Sequence, residues 1–162
     1  MSAATRPPHR SPEAQIALEN AFADMFANVP LHQLLGMQVV AQSPGKSQIR
    51  VDMQPGLLGN TLHQRLHGGV TATMLDAAGG FAICTAIAEK YSDEDFEQLG
   101  HRLARIGTID LRIDYLHQAQ GPCFIATGNV LRLGGRIAST QMTLTNHTGQ
   151  LVATGAGAYV VS

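Results

Sequence analysis

The sequence predicts a single α+β domain in which a curved antiparallel sheet of about six strands surrounds one long apolar helix. A length of 162 residues fits one domain, expected over 13–162 after a flexible tail over 1–12. Short alternating segments joined by tight turns are typical of an antiparallel sheet. The stretch from Val70 to Ala88 is apolar on every side. Such a helix must be shielded from water on every side, and a curved sheet wrapped around it would do this.

An extra helix is predicted near the N-terminus. Ser11 has the residue type of a helix N-cap, and Pro12 that of the first helical position. Apolar residues then recur at helical spacing: Leu18, Phe22, Met25, Phe26 and Val29. Pro30 is expected to end this helix, and a short turn is expected over 32–35.

Two strands are predicted before the long helix and four after it. The first lies at 37–41, and alternation of apolar and polar residues predicts the second over 49–53. Residues 54–66 are expected to be a loop. The acidic segment Ser92–Gly100 is expected to be an exposed loop or a lid. The later strands are predicted over four segments: 109–115, 124–133, 137–145 and 151–161.

Composition excludes several classes of protein. Eleven basic residues balance 12 acidic ones without a basic run, which argues against a nucleic-acid-binding protein. Cys84 and Cys123 are far apart, so no disulfide framework is indicated and a cytoplasmic protein is expected. The apolar helix carries Asp76 near its middle, which disfavours a membrane span.

The low content of charged residues is a further signal. Only 14% of the residues are charged, against about 25% in an average soluble domain. Either the surface is unusually poor in charge, or part of it is covered by another subunit.

Asp76 is the only charged residue between His67 and Ala88. A buried carboxylate is costly unless it is bonded or used, so Asp76 is either catalytic or caps a neighbouring loop. At the start of the same helix, Gly68 and Gly69 follow His67. Unpaired first-turn amides at the positive end of the helix could bind the oxyanion of a thioester or ester. Alternatively, the two glycines serve only a tight turn.

The spacing of Gly68 and Asp76 has a consequence for assembly. Eight residues of helix separate them, which is about 12 Å along the axis. One carbonyl group cannot reach both, because hydrogen bonds need about 3 Å. If both act on one substrate, they must come from different chains, as in a two-fold dimer with two sites.

Other polar residues are weaker candidates. His63 and His67 are four residues apart but precede the helix, with no cysteine or acidic ligand nearby, so no metal or other cofactor is expected. Arg132 and Arg136 flank the two-glycine turn at 134–135. They could bind phosphate groups or simply be exposed turn residues.

Three segments together resemble the hot-dog-fold acyl-CoA thioesterases of the PaaI type, over about 36–161. They are Leu-His-Gly-Gly-Val at 66–70, followed by Asp76, then 107–116 and 131–136. The acidic segment that runs into 105–110 resembles a bacterial subgroup that acts on medium- and long-chain acyl-CoA.

The resemblance implies a homodimer or a dimer of dimers with acyl-CoA bound at the subunit interface. Gly68 would match the position whose backbone N–H polarises the thioester carbonyl, and His67 the neighbouring motif histidine. Asp76 would match the catalytic carboxylate, as general base or as nucleophile. Thr108 falls where relatives have a Ser or Thr that orients water. Further candidate substrate-binding residues are Gly69, Tyr115, Arg132, Gly134, Gly135 and Arg136.

The sequence departs from this family at one position. Relatives often have an Asn six residues before the motif histidine, where this chain has Thr61. Asn60 lies seven residues before it, so a role for Asn60 in the site requires a one-residue shift of the loop.

The expected activity is hydrolysis of acyl-CoA thioesters to free acid and coenzyme A. A hydratase or dehydratase of acyl thioesters on the same fold, or a non-catalytic acyl-CoA-binding module, are the alternatives. The sequence leaves the acyl chain length and the choice between dimer and tetramer open.

Overall fold

The computed structural model describes residues 10–162, so most of the predicted tail lies outside the described residues. Within that range the helices are Pro12–Ala27 (α1), Pro30–Leu35 (α2), Gly68–Lys90 (α3) and Phe96–Leu103 (α4). The strands are Gln38–Ser43 (β1), Lys46–Asp52 (β2), Leu58–Asn60 (β3), Arg65–Leu66 (β4), Gly107–Tyr115 (β5), Cys123–Leu133 (β6), Ile137–Asn146 (β7) and Leu151–Val160 (β8).

One six-stranded sheet, in the order β1-β2-β6-β7-β8-β5, forms the body of the fold. Every neighbouring pair in it is antiparallel. Strand β5 follows α3 in the chain but lies at the far edge, paired with β8. The predicted α+β fold, with about six antiparallel strands and one long helix, is confirmed.

Helix α3 packs on one face of this sheet and forms the centre of the core. It packs against β2, β6 and β7, where its largest apolar side chains are fully buried. It is long and apolar enough to cross a membrane by those measures alone, but 67% of its most apolar stretch is buried inside the fold. It is therefore a core helix, as the sequence indicates.

The N-terminal helix begins as predicted, since the Ser11 side chain accepts a hydrogen bond from the amide of Ala14. Arg10, a residue of the predicted tail, donates to the carbonyl oxygens of Ala88 and Tyr91 at the end of α3. The side chains of α1 that reach the core are Leu18, Phe22 and Phe26, whereas Met25 and Val29 are 40% and 38% exposed.

The segment after Pro30 differs from the prediction of a turn. Helix α1 ends before Pro30, and Pro30 then begins a second helix, α2. Proline is favoured at the first helical position because the amide it lacks would have no intrahelical partner. Gly36 ends α2 with a φ of 67°, a left-handed conformation that glycine adopts without strain.

Two predicted loops also contain regular structure. The segment 54–66 holds the short β3–β4 hairpin. The segment 92–100 runs into α4, so it is not simply a solvated loop: Asp95 and Gln98 form a capping box, and Leu99 is buried. The charges of this segment lie at the helix start, and Leu99 packs inward while Phe96 is 55% exposed.

Candidate active site

The start of α3 is fixed by His67. Its backbone is extended, and its ring nitrogen Nδ1 accepts a hydrogen bond of 2.9 Å from the amide of Gly69. The amide of His67 in turn donates to the carbonyl of Leu57, 2.8 Å away. These two bonds hold the turn between the β3–β4 hairpin and the helix in one conformation.

The amide of Gly68 stands apart from its neighbours. The amides of Gly69, Val70 and Thr71 all donate to atoms of His67. No acceptor for the Gly68 amide lies among the described residues. Gly68 rather than Gly69 thus offers a free N–H at the positive end of α3, where a carbonyl oxygen or an anion would bind.

Tyr115, at the end of β5, lies against this helix start. Its hydroxyl donates a hydrogen bond of 2.9 Å to the carbonyl oxygen of Gly68, and its ring covers the Gly68 Cα. The side chain is 57% exposed, so it also borders the open surface beside the glycine. Tyr115 is placed to fix the first turn of α3 and to contact whatever binds there.

Asp76 lies two turns further along α3 and is half-buried. Its Oδ1 accepts two hydrogen bonds, one of 2.9 Å from the Thr108 hydroxyl and one of 3.0 Å from the Tyr159 hydroxyl. Thr108 and Tyr159 face each other across the β5–β8 ladder, so both hydroxyls come from the same side of the sheet. The carboxylate is therefore held on one oxygen by two neutral donors.

Tyr159 was not among the residues indicated by the sequence. It lies 83 positions from Asp76 in the chain and ends a strand with no other chemical signal. The packing of β8 against α3 brings it to the carboxylate, and the pairing of β8 with β5 places Thr108 beside it. No local pattern could have found it.

A pocket of about 410 Å³ opens beside Asp76. Its walls come from α1 and α2, from α3, from α4 with the segment that follows it, and from Thr108 of β5 and Tyr159 of β8. Asp76 is the one acidic residue that lines it within the described part of the chain, and apolar side chains dominate the rest. Among them are Met25, Val29, Ala77, Phe81, Cys84 and Leu103. Such a cavity suits an apolar chain that ends in a polar reactive group.

Cys84 is the one thiol in this wall. Burial raises the pKa of its side chain to about 12, so the thiol stays protonated at neutral pH. A protonated thiol is a poor nucleophile. Cys84 is thus an apolar lining residue of the pocket, whereas Asp76 contributes a carboxylate to it.

Asn60 remains in its own loop. Its side-chain oxygen accepts a hydrogen bond of 2.9 Å from the amide of His63, across the turn of the β3–β4 hairpin. The neighbouring Gly59 packs directly on His67, since a Cβ there would lie 2.7 Å from the His67 Cα. The structure brings the loop of Asn60 to the helix start but does not join its side chain to Asp76.

The two-glycine turn lies elsewhere, beside the C-terminal end of α3. Gly134 and Gly135 line a cleft of about 90 Å³ with Lys90, Arg102 and Arg105. Arg132 and Arg136 are exposed on either side of the turn and do not line this cleft. Within residues 10–162 no cluster of three or more His, Cys, Asp or Glu residues could hold a metal ion.

Comparison with known proteins connects this geometry to a family. The sequence model of the thioesterase superfamily matches residues 63–153 of this chain. These residues include the start of α3, Asp76 and Thr108. The medium/long-chain acyl-CoA thioesterase YigI of Escherichia coli strain K12 is 34% identical over 139 residues, covering 85% of this chain and 90% of that protein.

Solved structures agree. A Shewanella oneidensis protein related to the thioesterase superfamily is 38% identical with a TM-score of 0.86, and the match covers 94% of this chain and all of that one. The Escherichia coli PaaI protein is 18% identical with a TM-score of 0.71, covering 91% and 94% of the two chains, which shows a shared fold. The predicted resemblance is confirmed: the chain has the hot-dog fold and belongs to the thioesterase superfamily.

Proposed function

We propose that this protein hydrolyses acyl-CoA thioesters to a free acid and coenzyme A. The observation that carries the proposal is Asp76, a carboxylate oriented by two hydroxyls at the edge of an apolar pocket. A thioesterase needs this combination, because the acyl chain is apolar and the carbonyl carbon must meet water or a nucleophile. Membership of the thioesterase superfamily supports it.

In the proposed reaction the free amide of Gly68 binds the thioester oxygen. Asp76 either takes a proton from the attacking water or attacks the carbonyl carbon itself. In both routes negative charge develops on the carbonyl oxygen as the new C–O bond forms. The Gly68 N–H stabilises this charge by hydrogen bonding to the oxygen. The C–S bond then breaks, and the thiolate of coenzyme A leaves and takes up a proton. In the nucleophilic route this step leaves an anhydride between the acyl group and Asp76, which water cleaves to release the acid and restore the carboxylate.

The proposed site needs two chains. Gly68 and Asp76 of one helix are about 12 Å apart, too far for one carbonyl group. The edge strand β5 exposes Ile109 and Tyr115, which are 55% and 57% exposed. An unpaired edge with apolar side chains is a surface that proteins normally cover. We therefore propose a two-fold dimer that brings Asp76 of one chain to Gly68 of the other.

We propose medium- or long-chain acyl groups as substrates. The pocket reaches from Asp76 to Cys84, which are eight residues or about 12 Å apart along α3. Apolar side chains line this length, so each added methylene of an acyl chain gains from burial. YigI, at 34% identity, is named for medium- and long-chain acyl-CoA, which supports the same range here.

We place the phosphate groups of coenzyme A at the cleft of Lys90, Arg105 and the turn of Gly134 and Gly135. Phosphate oxygens bind guanidinium and ammonium groups through charge-assisted hydrogen bonds. Glutamine at both Lys90 and Arg105 is expected to raise KM for acyl-CoA and to leave kcat nearly unchanged. An unchanged KM would place the phosphates elsewhere, near Arg132 and Arg136.

The test is thiol release from saturated acyl-CoAs of 4 to about 18 carbons, with wild type and Asp76→Asn. We expect turnover that rises with chain length and a loss of about 10²- to 10⁴-fold in the variant. Asp52→Asn, at an exposed carboxylate of β2, is the matched control and should retain full activity. Hydration of an enoyl-CoA without thiol release, or binding without turnover, would contradict the proposal.

A further inference from the structure

Tyr159, near the end of β8, is closely surrounded and specifically hydrogen-bonded within the fold. Its side chain is 1% exposed and lies between β8 and α3. Its hydroxyl is 3.0 Å from Oδ1 of Asp76 and 3.1 Å from the carbonyl oxygen of the same residue. A buried tyrosine usually finds some partner for its hydroxyl. Here that partner is the carboxylate beside the pocket.

Two glycines make room for the ring. A Cβ on Gly79 would lie 2.5 Å from the Tyr159 hydroxyl oxygen, and one on Gly157 would lie 3.0 Å from the ring carbon Cε2. Glycine within a helix is less favourable than alanine by about 1 kcal/mol. Glycine at position 79 lowers the stability of the helix, but any side chain there would displace Tyr159 from Asp76.

The hydroxyl acts as a donor and stays protonated. Burial, the charge of Asp76 and the bond to Asp76 all raise the pKa of Tyr159 above its ordinary value. A protonated hydroxyl is a hydrogen-bond donor, and Oδ1 of Asp76, at 3.0 Å, is the nearer of its two acceptors. Thr108 donates to the same oxygen, and neither hydroxyl is bonded to Oδ2.

We propose that Tyr159 is a positioning residue of the thioester-hydrolysis site, which fixes Oδ1 of Asp76 together with Thr108 so that Oδ2 is left to meet water or the thioester. This inference rests on the proposed function and adds a residue that the motif around α3 does not contain. A carboxylate held by a single donor could rotate about its Cβ–Cγ bond. Two donors from paired strands restrict that rotation.

The test is Tyr159→Phe, which keeps the ring in its slot and removes only the hydroxyl. We expect kcat to fall about ten- to hundredfold with KM within about twofold of wild type, because a bond to a charged group is lost while the pocket is unchanged. The matched control is Thr85→Val, which removes a buried hydroxyl on α3 that bonds Ala82 and Gly45 instead of the site. This control should keep wild-type kcat.

A double variant separates positioning from an independent role. If Tyr159 acts only through Asp76, then Tyr159→Phe should change the residual rate of Asp76→Asn less than about twofold. An equal loss in both backgrounds would overturn the inference.

Crystal structures of wild type and Tyr159→Phe give a readout that does not depend on activity. We expect the Asp76 carboxylate to rotate or to occupy two conformers in the variant, and to keep both bonds in wild type and in Thr85→Val. An unmoved carboxylate, or an unchanged kcat in an active enzyme, overturns the inference. If wild type releases no thiol from any acyl-CoA, the proposed function fails, and the crystal structures still decide whether Tyr159 orients Asp76.

Discussion

The two faces of α3 differ in what they contact. The face toward the sheet carries side chains with no exposed surface: Met74, Leu75, Ala78, Ala82 and Ile83. The opposite face is half-buried and carries small or polar residues: Thr73, Asp76, Ala77, Gly80 and Cys84. One helix therefore presents a packed side and an open side along its whole length.

The contrast separates stability from function within one element. Side chains of the packed face exclude water and contribute most of the burial that holds the sheet on the helix. The open face forms a pocket wall and keeps one carboxylate at its centre. Changes on the packed face should alter the free energy of unfolding, whereas changes on the open face should alter catalysis. The predictions below test this division, from the largest effect to the smallest.

The largest change is expected from Ile83→Ala on the packed face. The side chain is fully buried, so its truncation removes contacts and leaves a cavity. The free energy of unfolding should fall by about 2–5 kcal/mol, measured by urea denaturation. The kcat of the folded fraction should stay close to wild type. A large loss of kcat at unchanged stability would break the division between the faces.

A second large effect is expected from Gly68→Pro at the helix start. Proline removes the free N–H, is tolerated at the first helical position, and requires an extended residue before it, as His67 already is. We expect kcat to fall about 10²- to 10³-fold with little change in stability. Gly68→Ala keeps the N–H, and its Cβ would make only an ordinary contact of 3.5 Å with Tyr115, so it should remain active. Equal activity of the two variants would exclude the Gly68 amide from the reaction.

A smaller and selective effect is expected from Cys84→Phe, which fills the far part of the pocket. Thiol release from the longest accepted acyl-CoA should fall about tenfold or more, while release from short chains stays near wild type. Cys84→Ala removes the thiol without filling space and should keep the wild-type chain-length profile. A uniform loss over all chain lengths would place the acyl chain elsewhere.

The smallest effect is expected from Thr73→Ala on the open face. The hydroxyl bonds the carbonyl of Gly69, but alanine is the more favourable residue in a helix. The two contributions oppose each other, so the free energy of unfolding should change by less than about 0.5 kcal/mol in urea denaturation. A loss above about 2 kcal/mol would show that the open face also carries stability.

The sequence predicted those features of the fold that depend on local patterns of residues. The apolar run and its breaks placed α3 and the long strands within a few residues, because a helical run without a continuous polar stripe predicts a core helix. Helix α4 was missed, although Asp95 with Gln98 three positions later is the pattern of a capping box. The acidic residues of this segment indicated an exposed region. Acidic residues are also favourable at a helix N-terminus, so an exposed acidic segment can be the start of a helix.

The candidate site was predictable only in part. Asp76 stands out because it is the single charge in an apolar helix, and the two glycines mark the helix start. The bond from Tyr159 depends on the packing of β8 against α3, and no spacing along the chain encodes it. The cations near the two-glycine turn, Lys90 and Arg105, are likewise brought there by the ends of other elements.

The most direct test of the central claim is complementation between two inactive variants, Asp76→Asn and Gly68→Pro, refolded or co-expressed together. In a two-chain site, a mixed dimer contains one complete site, formed by Asp76 of the Gly68→Pro chain and Gly68 of the Asp76→Asn chain. Random mixing makes half of the dimers mixed, so thiol release should recover to about a quarter of wild type. No recovery, with mixed dimers demonstrated by mass spectrometry, would contradict a site shared between two chains.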